Sequence, residues 1–155
     1  MKNNSSEFLC FVVENQRFAL PLNRVDIVIR SQAVTRLENN IDFLCGVIDL
    51  HGDIIPIISL RKRFRLTETD IDITDRFIIV DAGSRRVGII AEQVDDIITI
   101  PNDELKESTE IFNGLRYIRI FSQENGIVLI YDIDSIIDKN EEIELQKVWQ
   151  SLNHC

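Results

Sequence analysis

The sequence predicts an all-β protein, a barrel or a sandwich, and three observations lead there. Short apolar runs rich in β-branched and aromatic residues recur along the chain, and turn-forming residues separate them. Helical periodicity is confined to one stretch near the C-terminus. A chain of 155 residues is long enough for one domain of ordinary size, or for two small barrels packed together, without disulfides or metals.

The elements follow in order. "EFLCFVV" (Glu7–Val13) is an apolar run, "ENQ" turns it, and "RFALPL" (Arg17–Leu22) returns as the second half of a hairpin. "RVDIVIRSQAVTRL" (Arg24–Leu37) is rich in β-branched residues and puts Val25, Ile27 and Ile29 on one alternation. "FLCGVIDL" and "DIIPIISL" face each other across His51-Gly52. "RFIIVDA" and "RVGIIAE" pair across Gly83-Ser84, and "DDIITI" follows. "LRYIRIFS" and "GIVLIYD" pair across Glu124-Asn125-Gly126, where Asn-Gly is a strong turn signal. "SLRKRF" can form one helical turn. The longer helix starts at Asp138, with Glu141 as a capping-box partner, and carries Leu145, Val148, Trp149 and Leu152 on one face. That stripe is expected to dock on the body of the protein, with a partner-binding helix as the alternative. Glu38–Asp42, Thr67–Asp75 and Asn102–Gly114 read as loops, the last with room for some helix, and no linker divides the chain.

Composition narrows the function. A hydrophobic content of 45% and a charged content of 28% are those of a soluble globular chain. A net charge of −9 argues against nucleic acid as a partner, because phosphate neutralisation needs a broad positive surface. No apolar run approaches the ~18 residues of a membrane span, and "MKNNSSE" is no signal peptide, so direct membrane insertion is not expected. The three cysteines, Cys10, Cys45 and Cys155, show no CxxC spacing and read as structural thiols in a reducing cytoplasm.

Catalytic chemistry is scarce. His154 stands next to the end of the sequence, so a histidine-based site must use His51, with Asp49 and Asp53 as its neighbours. One histidine and two carboxylates fall short of the four ligands of a structural zinc site, and a polar turn residue in water is the stronger reading. "DIDSIID" has carboxylates at positions one and three of a calcium loop but no glycine at position six. "GSRRVG" joins two strands and lacks phosphate-loop spacing. The four cations between Arg61 and Arg65 form a local basic patch, either a solvated face or a contact for an acidic partner. By elimination the chain reads as a binding module with no cofactor and no metal.

The stretch "GVIDLHGDIIPIISLRKRF" (Gly46–Phe64) resembles the signature hairpin of the CheW-like coupling proteins of bacterial chemotaxis. That pattern runs Gly-Val-x-Asn-Leu-Arg-Gly, an apolar strand with proline, then Asp-Leu-Arg and a basic turn. Gly46, Val47, Leu50, Gly52, Pro56, Leu60, Arg61 and Phe64 match it. "VGIIAEQVDDII" (Val87–Ile98) is similar to a second family segment through Gly88, Val94 and Ile97, with Glu92 and Asp96 as its acids. "GIVLIYDIDSII" (Gly126–Ile137) resembles the closing strand. The resemblance runs from about Phe8 to Ile137.

It implies two SH3-like five-stranded β-barrels packed together over residues 7–138, with a C-terminal helix and tail over 139–155. It also implies a non-catalytic adaptor that joins the regulatory domain of a histidine kinase to the cytoplasmic tip of a methyl-accepting chemoreceptor. A kinase-modulating subunit that binds no receptor is the alternative. Carried over by position, the partner-binding residues are Val25, Ile27, Gly46, Val47, Asp49, His51, Gly52, Arg61 and Val94. Departures concentrate at this surface: Asp49-Leu50-His51-Gly52 stands for Asn-Leu-Arg-Gly, Ile27 for a frequent glutamate, Ser59 for an aspartate, and Arg119 for a glycine. They bear on partner identity more than on fold.

Overall fold

The computed structural model describes residues 5–38, 41–107, 118–123, 126–135, 143–147 and 150. Its strands are β1 (Ser5–Val13), β2 (Gln16–Pro21), β3 (Val25–Arg30), β4 (Leu44–Leu50), β5 (Asp53–Ile58), β6 (Arg76–Asp81), β7 (Arg86–Ala91), β8 (Gln93–Pro101), β9 (Lys106–Glu107), β10 (Ile118–Gln123) and β11 (Gly126–Tyr131). One short helix, α1 (Leu60–Arg63), follows β5, and residues 143–147 are helical.

The strands form two sheets, in the orders β8-β1-β2-β11-β10-β9 and β3-β6-β7-β5-β4. Each curls towards closure. In the first, the two end strands β8 and β9 are consecutive in the chain and separated by one 3-10 turn, Asn102–Glu104. In the second, the chain beyond β3 reaches β4 through a bridge between Thr35 and Val47. The two expected barrels are borne out, and the first sheet carries in addition a two-residue sixth strand, β9. The barrels are also nested in sequence, since β3 to β7 are inserted between the strands of the first. Each contains one parallel pair, β2 with β11 and β5 with β7, which no hairpin signal reveals.

Strand alternation explains the apolar runs. In β1, Phe8 and Cys10 face the interior of the first barrel, while Leu9, Phe11 and Val13 face a cluster shared by the two barrels. In β6, Phe77 and Ile79 fill the second barrel, while Ile78 and Val80 join the shared cluster. Strands covered on both faces read as unbroken apolar sequence. Phe11, Phe18 and Phe64 stack in series across the shared cluster, and Tyr131 meets Phe64 edge-on. Leu145 of the C-terminal helical segment is buried in the same cluster; its predicted companions Val148, Trp149 and Leu152 lie outside the described residues.

Cys10 is fully buried, Cys45 half-buried, and burial pushes both thiols above their ordinary pKa. The predicted core residues Ile55, Ile57, Ile79, Ile89, Val128 and Ile130 are all at most 1% exposed. Truncating Ile57 or Ile79 to alanine is expected to lower stability by about 2–5 kcal/mol, read from denaturant midpoints. Midpoints unchanged from wild type would contradict this strand register.

Candidate functional site

The hairpin between β4 and β5 turns at two residues, His51 with φ 53° and Gly52 with φ 90°. Positive φ at both central positions is the type I′ geometry that fits strand twist. Asp49 Oδ1 accepts a hydrogen bond from the Gly52 N–H at 2.7 Å. Asp53 is held by Arg86, whose Nε and second terminal nitrogen donate to its Oδ2 at 2.9 and 2.7 Å. The same guanidinium donates to Asp26 Oδ2 at 2.6 Å, and these bonds raise its pKa. Both carboxylates beside His51 are therefore committed to structure. Among the described residues no group of histidine, cysteine and carboxylate side chains is placed to hold a metal.

Arg86 ties the starts of β3, β5 and β7 into one end of the second barrel. An open groove of about 740 Å³ lies there, lined by Asn23, Arg24, Val25, Asp26, Asp53 and Ser84 among others. Arg24, in its lining, donates to the Asp81 carbonyl at 2.9 Å and to Asp134 at 2.7 Å. The Arg24 hydrogen bond holds the Asp134 carboxyl below the usual carboxylate range.

The nine sequence-derived positions separate into two groups. Asp49, His51 and Gly52 are exposed at the hairpin turn, and Ile27 is 46% exposed on β3. Val25 and Val94 are half-buried against the shared cluster, at its margin. Gly46, Val47 and Arg61, by contrast, are drawn into the body of the protein. Val47 is 5% exposed and bonds through its backbone to Thr35, while the Gly46 backbone lies against that same bridge. The Arg61 side chain is 15% exposed and ion-paired with Glu14 at 3.5 Å and with Glu92. Its guanidinium also donates to the Thr67 carbonyl at 2.9 Å. This clasp joins the β1–β2 turn, α1 and the β7–β8 junction. The basic run is thus no uniform patch: Arg63 also turns inward, over the Phe43 ring and onto the Tyr131 hydroxyl, while Lys62 and Arg65 are exposed.

The expected alternation on β3 is also corrected. Val25 lies opposite Val80 and Ile27 opposite Ile79, so Asp26 is an extra residue, a bulge. Val25 therefore joins the shared cluster, whereas Ile27 and Ile29 align with the face of the second barrel's interior. Sequence reasoning missed Val28, which is 38% exposed beside Ile27, and the carboxylates that hold Arg61.

Arg61→Ala is expected to lower stability by about 2–3 kcal/mol, because it leaves Glu14 and Glu92 partly buried without their cation. Lys62→Ala, in the same run but exposed, is expected within about 0.5 kcal/mol of wild type. Equal thermal shifts for the two variants would contradict the clasp.

Exposed apolar side chains on a terminal strand beside a tight polar turn are features of a contact surface more than of a catalytic centre. The chain belongs to the CheW-like domain family, whose model matches residues 7–141. It is similar to the chemotaxis protein CheW of Bacillus subtilis, 30% identical over 136 residues that cover 86% of this chain and 87% of that protein. It is also similar to the chemotaxis protein CheW of Klebsiella aerogenes, 28% identical over 153 residues that cover 94% and 89% of the two chains. Among solved structures, the scaffolding protein TtCheW from Thermoanaerobacter tengcongensis superposes with a TM-score of 0.79 at 21% identity, over 90% of this chain and 92% of that one. The fold shared with that structure is the pair of SH3-like barrels, and membership of the family makes the chain a non-catalytic chemotaxis-type scaffold or adaptor. Among the described residues no helix is long and apolar enough to cross a membrane.

Proposed function

We propose that this chain couples the regulatory domain of a chemotaxis-type histidine kinase to the cytoplasmic tip of a methyl-accepting chemoreceptor, and that it does so in the cytoplasm. The observation that carries this reading is the apolar strip on β3: Val25 at the margin of the shared cluster, with Ile27 and Val28 exposed beside it. Partner affinity at such a surface comes from a few desolvated apolar anchors, and the charges at its rim tune rate and selectivity. Asp49 and His51 supply that rim.

Calorimetric titration of the full chain against the receptor tip and the kinase regulatory domain tests the reading. Saturable binding to both is the expected result, and binding to neither overturns it. Binding to the kinase domain alone would favour a kinase-modulating subunit. His51→Arg is expected to leave the fold intact and to shift the preference between the two partners by about 1–3 kcal/mol, as an added hydrogen bond from a charged group would. Identical affinities for both partners would remove His51 from the rim.

A further inference from the structure

The two ends of the second barrel differ. One carries the β4–β5 turn and the groove beside Arg86. The other is the end where β5 and β7 finish and β4 begins. A cavity of about 460 Å³ opens there, within the ~300–1,000 Å³ of small-molecule sites. Val34, Cys45, Ile71 and Ile90 form its walls, each packed against the apolar interior of the barrel. Its rim holds two cations, Arg36 and Lys62, and two carboxylates, Glu68 and Asp70, all four exposed. None of the four is ion-paired among the described residues.

The cavity is built from fixed parts. The loop that supplies Glu68, Asp70 and Ile71 is pinned at both ends. At one end the Thr67 carbonyl accepts from Arg61 at 2.9 Å and the Thr67 N–H donates to Glu14 at 3.2 Å. At the other the Asp72 carbonyl accepts from Ser31 Oγ at 2.9 Å and the Asp72 N–H donates to Asp75 at 2.8 Å. Ser59, buried in the lining, accepts from the Lys62 N–H at 3.4 Å, and among the described residues no acceptor takes its own O–H. Charges of both signs converge on the Cys45 thiol: burial raises its pKa most, Lys62 and Arg36 pull it down, and Glu68 pushes it up.

We propose that this cavity binds a small zwitterion with an apolar body, an amino acid or dipeptide with free termini and apolar side chains. The ligand's carboxylate lies between Arg36 and Lys62 and accepts from the Ser59 O–H, and its ammonium faces Glu68 and Asp70. Its side chain covers Val34, Ile71 and Ile90. A ligand of one charge sign would be attracted by half of this rim and repelled by the other half, whereas a zwitterion meets both. Rim charges in water contribute little each, so the expected Kd is on the order of 1 mM. The site lies at the end of the barrel away from the β4–β5 turn, and the inference holds whether or not the partners proposed above are the right ones.

The test is an NMR titration of the isotope-labelled full chain with leucine and with leucyl-leucine, up to about 20 mM, well above that Kd. Saturable shifts of the backbone amides of Cys45, Lys62 and Glu68–Ile71 are expected with at least one of them, while His51 and Gly52 stay in place. The tighter of the two sets the length of the ligand. N-acetyl-leucinamide, with the same body and no charge, is expected to bind at least ~tenfold more weakly, as are isocaproate and isoamylamine, with one charge each. Lys62→Glu and Glu68→Lys are each expected to weaken binding ~tenfold or more and to leave the melt close to wild type, since both side chains are exposed. No saturable shift with either zwitterion, or shifts confined to other residues, would overturn the proposal. So would equal binding of the uncharged analogue, or an affinity that neither charge reversal weakens.

Discussion

Gly46→Ala is expected to remove about 3–5 kcal/mol of stability, by adding a backbone clash to a forbidden backbone conformation. Gly46 has φ +151°, and a Cβ built there lies 2.2 Å from the Thr35 carbonyl oxygen, 2.8 Å from its carbon and 2.7 Å from Val34 Cγ1. The Thr35 carbonyl cannot yield cheaply. It accepts from the Val47 N–H at 2.9 Å, and the Thr35 N–H donates to the Val47 carbonyl at 2.9 Å. Those two bonds close the second barrel, so a methyl group at position 46 must either strain its own strand or part the bridge. The loss is a large share of the ~5–15 kcal/mol that holds a typical domain folded.

Other glycines calibrate the effect. Gly52, at φ +90°, has open space around it, so Gly52→Ala carries conformational strain alone, about 1 kcal/mol. Gly88→Ala meets the Ile57 Cδ1 methyl at 2.5 Å, the end of a flexible side chain, and is expected to fall between. Denaturant midpoints of the three variants check the order. Gly46→Ala unfolding at the Gly52→Ala midpoint would mean that the barrel does not close at Thr35.

Much of this architecture is legible in the sequence because the central strands are covered on both faces. Phe77–Val80 and Leu9–Val13 carry apolar residues at nearly every position, and two-residue turns such as His51-Gly52 join antiparallel neighbours without further information. The parallel pairs are hidden, since the register of β2 against β11 depends on packing between segments far apart in the chain. The bulge at Asp26 is hidden too, because nothing in "RVDIVIR" distinguishes an extra residue from a regular step. That one residue separates Val25 from Ile27, which simple alternation places together.

The candidate site was legible in outline through a resemblance, and its details moved for physical reasons. The hairpin's two glycines divide as their places in the sequence suggest, one serving the turn and one a close approach. Gly52 is exposed at the turn, and Gly46 is pressed against a carbonyl. A run such as Arg61-Lys62-Arg63 looks uniformly solvated until its countercharges are found. Glu14 and Glu92 come to Arg61 from a different turn and a different strand junction, and only the folded chain brings them there.

Partners are proposed to bind the β3 strip at the junction of the barrels. Val25 is the residue to change, being half-buried against the shared cluster while lining the groove at the barrel's end. Val25→Asp would bring an unpaired carboxylate into any contact made there, and an unsatisfied buried charge costs more than a lost apolar anchor gains. Because Val25 is only partly buried in the free protein, the fold is expected to survive, as a cooperative melt would show. The decisive measurement is a calorimetric titration of folded Val25→Asp and wild type, side by side, against the receptor tip and the kinase regulatory domain. Binding of the variant to one or both partners is expected to be at least ~100-fold weaker, the loss expected when a central anchor is replaced by a charge. Affinities equal to wild type for both partners would contradict it.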